Sequence, residues 1–156
     1  MRADDAIPLL RVFGDPVVMR AFDRDPFTPA EMRAWVARNL EHQDRYGFGL
    51  FTIVLRENGE IIGDSGLERM ELDGDIETEL GYDLRSDHWG RGLATEAAAA
   101  VKMHGLETLR LPRLISLVRS GNRRSARVAE RIGMSLEREL QRGEKTYRLY
   151  STSPIR

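Results

Sequence analysis

Two glycines one residue apart lead directly into an alanine-rich helix in the run Trp89-Gly90-Arg91-Gly92-Leu93-Ala94-Thr95-Glu96-Ala97. The first four N–H groups of a helix have no intrahelical partner, and the helix dipole adds partial positive charge at the same end. An anion fits there. Glycine lets the backbone approach a pyrophosphate without a Cβ in the way and tolerates the φ values of a tight turn. Taken alone, the two glycines fit an ordinary strand-to-helix turn equally well, so the flanking sequence has to decide.

Upstream of that run, Asp5 to Val12 reads as a short helix broken around Gly14-Asp15-Pro16, and Val17 to Phe22 resumes it. Thr28-Pro29-x-Glu31 then carries a capping box with proline at the first helical position. Met32, Trp35, Val36 and Leu40 give this helix its apolar face as far as Tyr46. Phe48 to Arg56 is a strand closed by Asn58-Gly59, a dipeptide that suits a type I′ hairpin. Glu60 to Arg69 returns, Asp73-Gly74 turns again, and Glu77 to Arg85 follows as a strand. A buried helix runs from Leu93 to about Thr108. Leu114 to Val118 is the next strand, Asn122 to Arg131 a helix stopped at Gly133, and Met134 to Leu140 with Lys145 to Ser151 a closing hairpin through Arg142-Gly143. This order predicts one α/β (α+β) domain over residues 1–156, with a mixed, mostly antiparallel sheet of six to seven strands flanked by about four helices.

Composition narrows the chemistry. With no cysteine, thiol catalysis and disulfide staples are excluded. His42, His88 and His104 are scattered without ligand spacing, so no metal site is expected. No apolar run has the length of a membrane span and no signal-peptide pattern opens the chain, so a cytoplasmic protein is expected. The net charge of −1 conceals an asymmetry. Acids dominate from Glu57 to Asp87, opposed only by Arg69 and Arg85, whereas from Arg110 to Arg131 seven arginines face Glu130 alone. Either this is solvated surface, or one side suits an anionic cofactor and the other a cationic substrate.

Four separated motifs occur in order: the strand Glu79-Leu80-Gly81-Tyr82-Asp83-Leu84, the Trp89 to Ala97 turn, Asn122-x-x-Ser125 opening a helix, and Arg131-Ile132-Gly133-Met134 ending it. Together they resemble the GNAT acyltransferases, and more closely the RimJ/RimL type of ribosomal-protein N-terminal acetyltransferases, over roughly residues 3 to 152. Two features depart from the family pattern. Trp89 stands where many members have Gln or Arg, although Trp is common in the RimJ/RimL-like branch. The strand that usually precedes the first helix is short or missing here.

The resemblance implies acetyl-coenzyme A as donor, with no metal. Backbone groups of Tyr82, Asp83 and Leu84 would line the pantetheine arm, and the Leu84 N–H would polarise the thioester carbonyl. Trp89, Gly90, Arg91, Gly92, Leu93, Ala94 and Thr95 would wrap the pyrophosphate. Asn122 would bond the pantetheine, and Arg119, Arg123 or Arg124 could reach the 3′-phosphate.

The acceptor would be a primary amine, on a small molecule or a protein N-terminus, attacking directly in its neutral form. An N-terminal amine with pKa near 8 is about one-tenth neutral at pH 7, and a lysine well under one part in a thousand. A base within hydrogen-bond reach is therefore needed. Glu79, acting through a water, and Glu144 in the last hairpin are the candidates, each equally readable as a structural or solvated carboxylate. Where many members use a tyrosine to reprotonate the thiolate, this chain has Ala129. Ser125 is the candidate acid, or else only supports the first turn of its helix. Phe13, Phe22, Phe27 and Trp35 either line an acceptor groove or pack the core. The expected state is monomer or homodimer, without nucleic acid or membrane.

Three rival readings are weaker or differ only in turnover. A Rossmann fingerprint would need Gly or Ala at Thr95 and an acid near Arg113. Nucleic-acid binding lacks interleaved aromatics and a basic balance. A coenzyme A sensor that keeps the fold and loses turnover leaves no side-chain mark, because the main catalytic donor is backbone.

Overall fold

The computed structural model describes residues 1–152. A single 3-10 turn, Ala3–Asp5, leads into α1 (Ala6–Phe13) and the one-turn α2 (Pro16–Met19). Helix α3 spans Pro29–Tyr46 and starts as its sequence dictates: Thr28 Oγ1 accepts from the Glu31 N–H at 3.2 Å, and Glu31 Oε2 accepts from the Thr28 N–H at 2.7 Å. Such a cap is worth about 1 kcal/mol.

Three antiparallel strands follow: β1 (Leu50–Val54), β2 (Ile61–Leu72) and β3 (Asp75–Leu84). The β1–β2 connection differs from the expected type I′ turn. Asn58 does not adopt positive φ. It accepts instead from the Glu60 N–H through Oδ1 at 2.9 Å, and the loop closes by Gly59 N–H to Leu55 O at 2.8 Å. The two-residue turn lies at Asp73-Gly74, where φ is 55° and 90° and Leu72 pairs with Asp75.

After β3 the chain enters α4 (Leu93–Met103), which widens into a π-turn over His104–Thr108, and this crossover carries it to β4 (Leu114–Arg119), parallel to β3. Helix α5 (Arg123–Arg131) and the hairpin β5 (Ser135–Arg142) and β6 (Lys145–Thr152) complete the fold. The hairpin turns at Gly143 and Glu144, one residue later than expected, between paired Arg142 and Lys145.

The strand order is β1-β2-β3-β4-β6-β5. Among the described residues there are six strands and five α-helices, and no strand precedes α1. The missing-first-strand alternative therefore holds, and β1 forms that edge of the sheet.

Helices α4 and α5 pack on one face of the sheet, over Leu67, Leu80, Leu114, Val118 and Tyr150. Helices α1 to α3 form a second core from Leu9, Val12, Met19, Met32 and Val36 against the β1–β2 end. Phe13, Phe27 and Trp35 belong to that second core, Phe13 lying 5.7 Å from Phe27 and 4.9 Å from Trp35 between ring centroids. Each fully buried aliphatic side chain contributes about 1.5–3 kcal/mol. These two cores clamp the sheet from opposite sides and leave its middle open.

Candidate active site

Strands β3 and β4 touch at one residue pair only, Glu79 with Ile115, and part beyond it. Antiparallel pairing alternates the backbone groups of a strand between its two neighbours. Because the Arg85 N–H bonds Ile62 O in β2, at 2.8 Å, the N–H groups of Tyr82 and Leu84 point the other way, into the gap. Side chains hold the lips of the gap apart. Ser116 Oγ donates to Leu80 O at 3.0 Å, and the Leu117 N–H donates to Glu79 Oε1 at 3.2 Å. A cavity of about 800 Å³ passes through the opening, walled by Glu79 to Leu84, by Ser116 to Arg119 and by the start of α4.

The turn after β3 is built to expose backbone. Gly90 and Gly92 have φ of +76° and +79°, and Gly92 caps α4 with no side-chain cap. The first helical bond is Glu96 N–H to Gly92 O at 3.0 Å, so the N–H groups of Leu93, Ala94 and Thr95 have no intrahelical acceptor. These three residues, with Gly90 and Gly92, line the cavity. Trp89 fixes the turn to the strand: its Nε1–H donates to Leu84 O at 3.0 Å, and the Arg124 guanidinium covers its ring at 3.8 Å. Arg91 lies outside the wall and faces His88 Nδ1 at 3.0 Å.

Asn122 Oδ1 caps α5 by accepting from the Ser125 N–H at 3.1 Å, and both residues line the cavity. The Tyr82 hydroxyl crosses from β3 to donate to Ser125 O at 2.7 Å, and Ser125 Oγ donates back to it at 3.2 Å. Burial raises the Tyr82 pKa, so this phenol stays protonated and locks Ser125 in place. Of the three candidate arginines, Arg119 and Arg124 reach the wall and Arg123 does not. Arg119 is drawn toward Asp23 at 3.7 Å, and Lys145 meets the same carboxylate at 3.3 Å.

The two candidate bases separate clearly. Glu79 lines the cavity, and burial pushes its pKa up to about 7, with Glu68 adding repulsion and the Leu117 N–H pulling the other way. Glu144 is exposed in the β5–β6 turn, where Lys145 and Tyr147 form the wall instead. Asp83 turns its backbone toward β2 and contributes a carboxylate on the face away from α4. There burial and the charge of Glu79 push it up to about 7. Phe22 lines the cavity, unlike the other N-terminal aromatics. Sequence reasoning passed over Glu68, which pairs with Glu79 across β2 and β3 and also lines the cavity. Among the described residues no cluster of His, Asp and Glu could hold a metal, and no helix is long and apolar enough to cross a membrane.

A parted sheet with inward backbone donors, running into an uncapped helix start, is a shape that can take an extended phosphate-bearing molecule between its strands. Residues 1–135 match the acetyltransferase (GNAT) domain family, and the chain belongs to that family. Its chemistry is acetyl-coenzyme A-dependent acetyl transfer. YkkB of Bacillus subtilis (strain 168) is 30% identical over 141 residues, covering 89% of this chain and 80% of YkkB. The acetyltransferase from Agrobacterium tumefaciens str. C58 superposes with a TM-score of 0.83 at 32% identity, over 97% of this chain and 86% of that one. RimL, the ribosomal L7/L12 α-N-protein acetyltransferase solved with coenzyme A, shares the fold at a TM-score of 0.82 and 18% identity, over 98% of this chain and 90% of its own. The RimJ/RimL type of fold expected from the motifs is thus found.

Proposed function

We propose that this protein moves the acetyl group of acetyl-coenzyme A to a primary amine by direct attack. The observation that carries the reading is the gap between β3 and β4, whose free backbone donors lead without interruption to the uncapped N-terminus of α4. The donor's fit is supported by the cradle itself: Gly90 and Gly92 leave open space where a Cβ would stand, and three helix N–H groups face it.

The N–H of Leu84 lies beside the turn, since Trp89 bonds the same residue's carbonyl. Tyr82 is one inward-facing position deeper. We therefore give Leu84 the outer pantetheine amide and Tyr82 the thioester carbonyl, one step further in than the sequence suggested for the oxyanion donor. A preorganised N–H of this kind contributes about 3 kcal/mol to the transition state.

Glu79, with its pKa near 7, takes the proton of the attacking amine, directly or through a water. The amine nitrogen bonds to the carbonyl carbon as the C–S bond breaks. Ser125, held in place by Tyr82, gives its hydroxyl proton to the departing thiolate as it takes one from solvent, while Glu79 keeps the proton removed from the amine. Glu144 stays outside this constellation.

Thiol release from acetyl-coenzyme A across a panel of amines, paired with calorimetric titration of coenzyme A, tests the reading. Turnover with amines is expected. Tight coenzyme A binding without turnover for any amine would point to a sensor instead.

A further inference from the structure

The face of the sheet away from α4 and α5 carries a group that the transfer chemistry leaves largely unused. Asp64-x-Gly66-x-Glu68 on β2 runs antiparallel to Glu79-x-Gly81-x-Asp83 on β3, pairing Asp64 with Asp83, Gly66 with Gly81 and Glu68 with Glu79. Residues two apart on a strand share a face. Four carboxylates therefore stand at the corners of one patch whose middle is glycine. The patch is about 5 Å wide between paired Cβ atoms. At about 3.3 Å per residue it is about 13 Å long. Glu68, Glu79, Gly81 and Asp83 all line the cavity, and a Cβ at Gly81 would meet nothing within 4 Å.

The fourth corner is the telling one. Asp64 is 1% exposed, and both of its carboxylate oxygens are buried without a hydrogen-bond partner among the described residues. A lone buried carboxylate is destabilising unless it is neutralised or paired. The groups acting on Asp64 are Asp83 and Glu68, of the same sign. From the turn before α1, Asp5 reaches Thr52, the β1 partner of Asp64, and adds a further acid. The basic groups that face the patch, Arg38 and His42 of α3 and Arg142 of β5, act on Glu68 and Glu79, at the far end.

We infer that this patch is the acceptor subsite and that the acceptor is a small linear di- or polyamine: one nitrogen lies neutral at the strand gap beside Glu79, and a second, as ammonium, is paired by Asp83 at the cavity wall, with the carboxylate of Asp64 buried behind it. The inference rests on the acetyl-transfer reading above. Burial raises the carboxyls of both Asp64 and Asp83, that of Asp83 to about 7, so Asp83 is partly protonated near neutral pH. A bound ammonium draws the Asp83 proton off, so diamine binding releases protons and binding heats depend on the buffer.

The test is calorimetric, on coenzyme A-loaded protein near neutral pH, with diaminobutane against butylamine, which has the same chain and one charge. One extra charge-assisted contact predicts about tenfold tighter binding of the diamine. Asp83→Asn and, separately, Asp64→Asn are each expected to erase most of that preference while leaving the coenzyme A affinity unchanged, because the backbone of Asp83 faces β2 and not the strand gap. Equal binding of the two amines, or a preference that survives both substitutions, overturns the inference while coenzyme A binding stands. Absence of coenzyme A binding by the unaltered protein overturns the transfer reading and the inference with it.

Discussion

Replacing Glu79 by Gln should lower activity and raise stability in the same protein. Glu79 sits at pKa about 7 against an ordinary value of 4.5, chiefly because it is buried. At 1.36 kcal/mol per pKa unit, a shift of that size corresponds to roughly 3 kcal/mol. The sign follows from proton counting: between 4.5 and 7 the folded protein holds a proton that the unfolded chain has released. The stability is thus complete below pH 4.5 and is lost as pH rises through about 7. Gln cannot ionise, yet its Oε1 can still accept from the Leu117 N–H that Glu79 now binds at 3.2 Å. Above pH 8 the variant should be more stable by up to roughly 3 kcal/mol, a rise in Tm of about 6–12 °C, and near pH 4 the difference should vanish. With the base gone, kcat should fall by about 10² or more, and the limb of the wild-type kcat/KM profile that rises near pH 7 should disappear. Chemical denaturation at both pH values and thiol-release kinetics read the two effects. Activity within threefold of wild type would refute the assignment of the base. A stability that falls or stays constant at high pH would refute the buried charge.

Gly92→Trp should abolish coenzyme A binding while the protein remains folded, because a side chain there fills the cradle and strains a φ of +79° by only about 1–3 kcal/mol; unchanged affinity by calorimetry would sink the phosphate site. Ser125→Ala should leave coenzyme A affinity intact, since Asn122 still caps the backbone N–H at that position, and should reduce kcat by about 10²-fold through the lost proton donor. Steady-state kinetics with a good leaving thiol and a poor one tests this, for the loss should shrink with the better leaving group. Asn122→Ala removes the α5 cap and should lower stability by about 1 kcal/mol, seen as a midpoint shift in denaturant.

How much of this site could be read from sequence is decided by range. Most features within one turn are legible: the Thr28–Glu31 cap forms both of its bonds, and the glycines after β3 open the helix start as their spacing requires, whereas Asn58-Gly59 closes a longer loop in place of the expected two-residue turn. Contacts set by tertiary approach carried no local signal. Nothing in Trp89 or Leu84 alone says that the indole will hold the strand carbonyl, and nothing in Ser125 says that Tyr82 will reach it from β3. The carboxylate patch lies between these cases. Once Asp73 and Gly74 are taken as a two-residue hairpin turn, Leu72 must face Asp75, and counting outward sets Glu68 against Glu79 and Asp64 against Asp83. Ending the strands at Arg69 and Glu77 leaves a loop too long to fix that register, so the two pairs of acids stay unrelated. The turn was recognised but not its length, and one residue of slip would have sent every one of those carboxylates to the opposite face. The acidic bias of the segment was visible from composition; its meaning depended on a hairpin that brings like charges together, side by side, on the one face where the sheet is open.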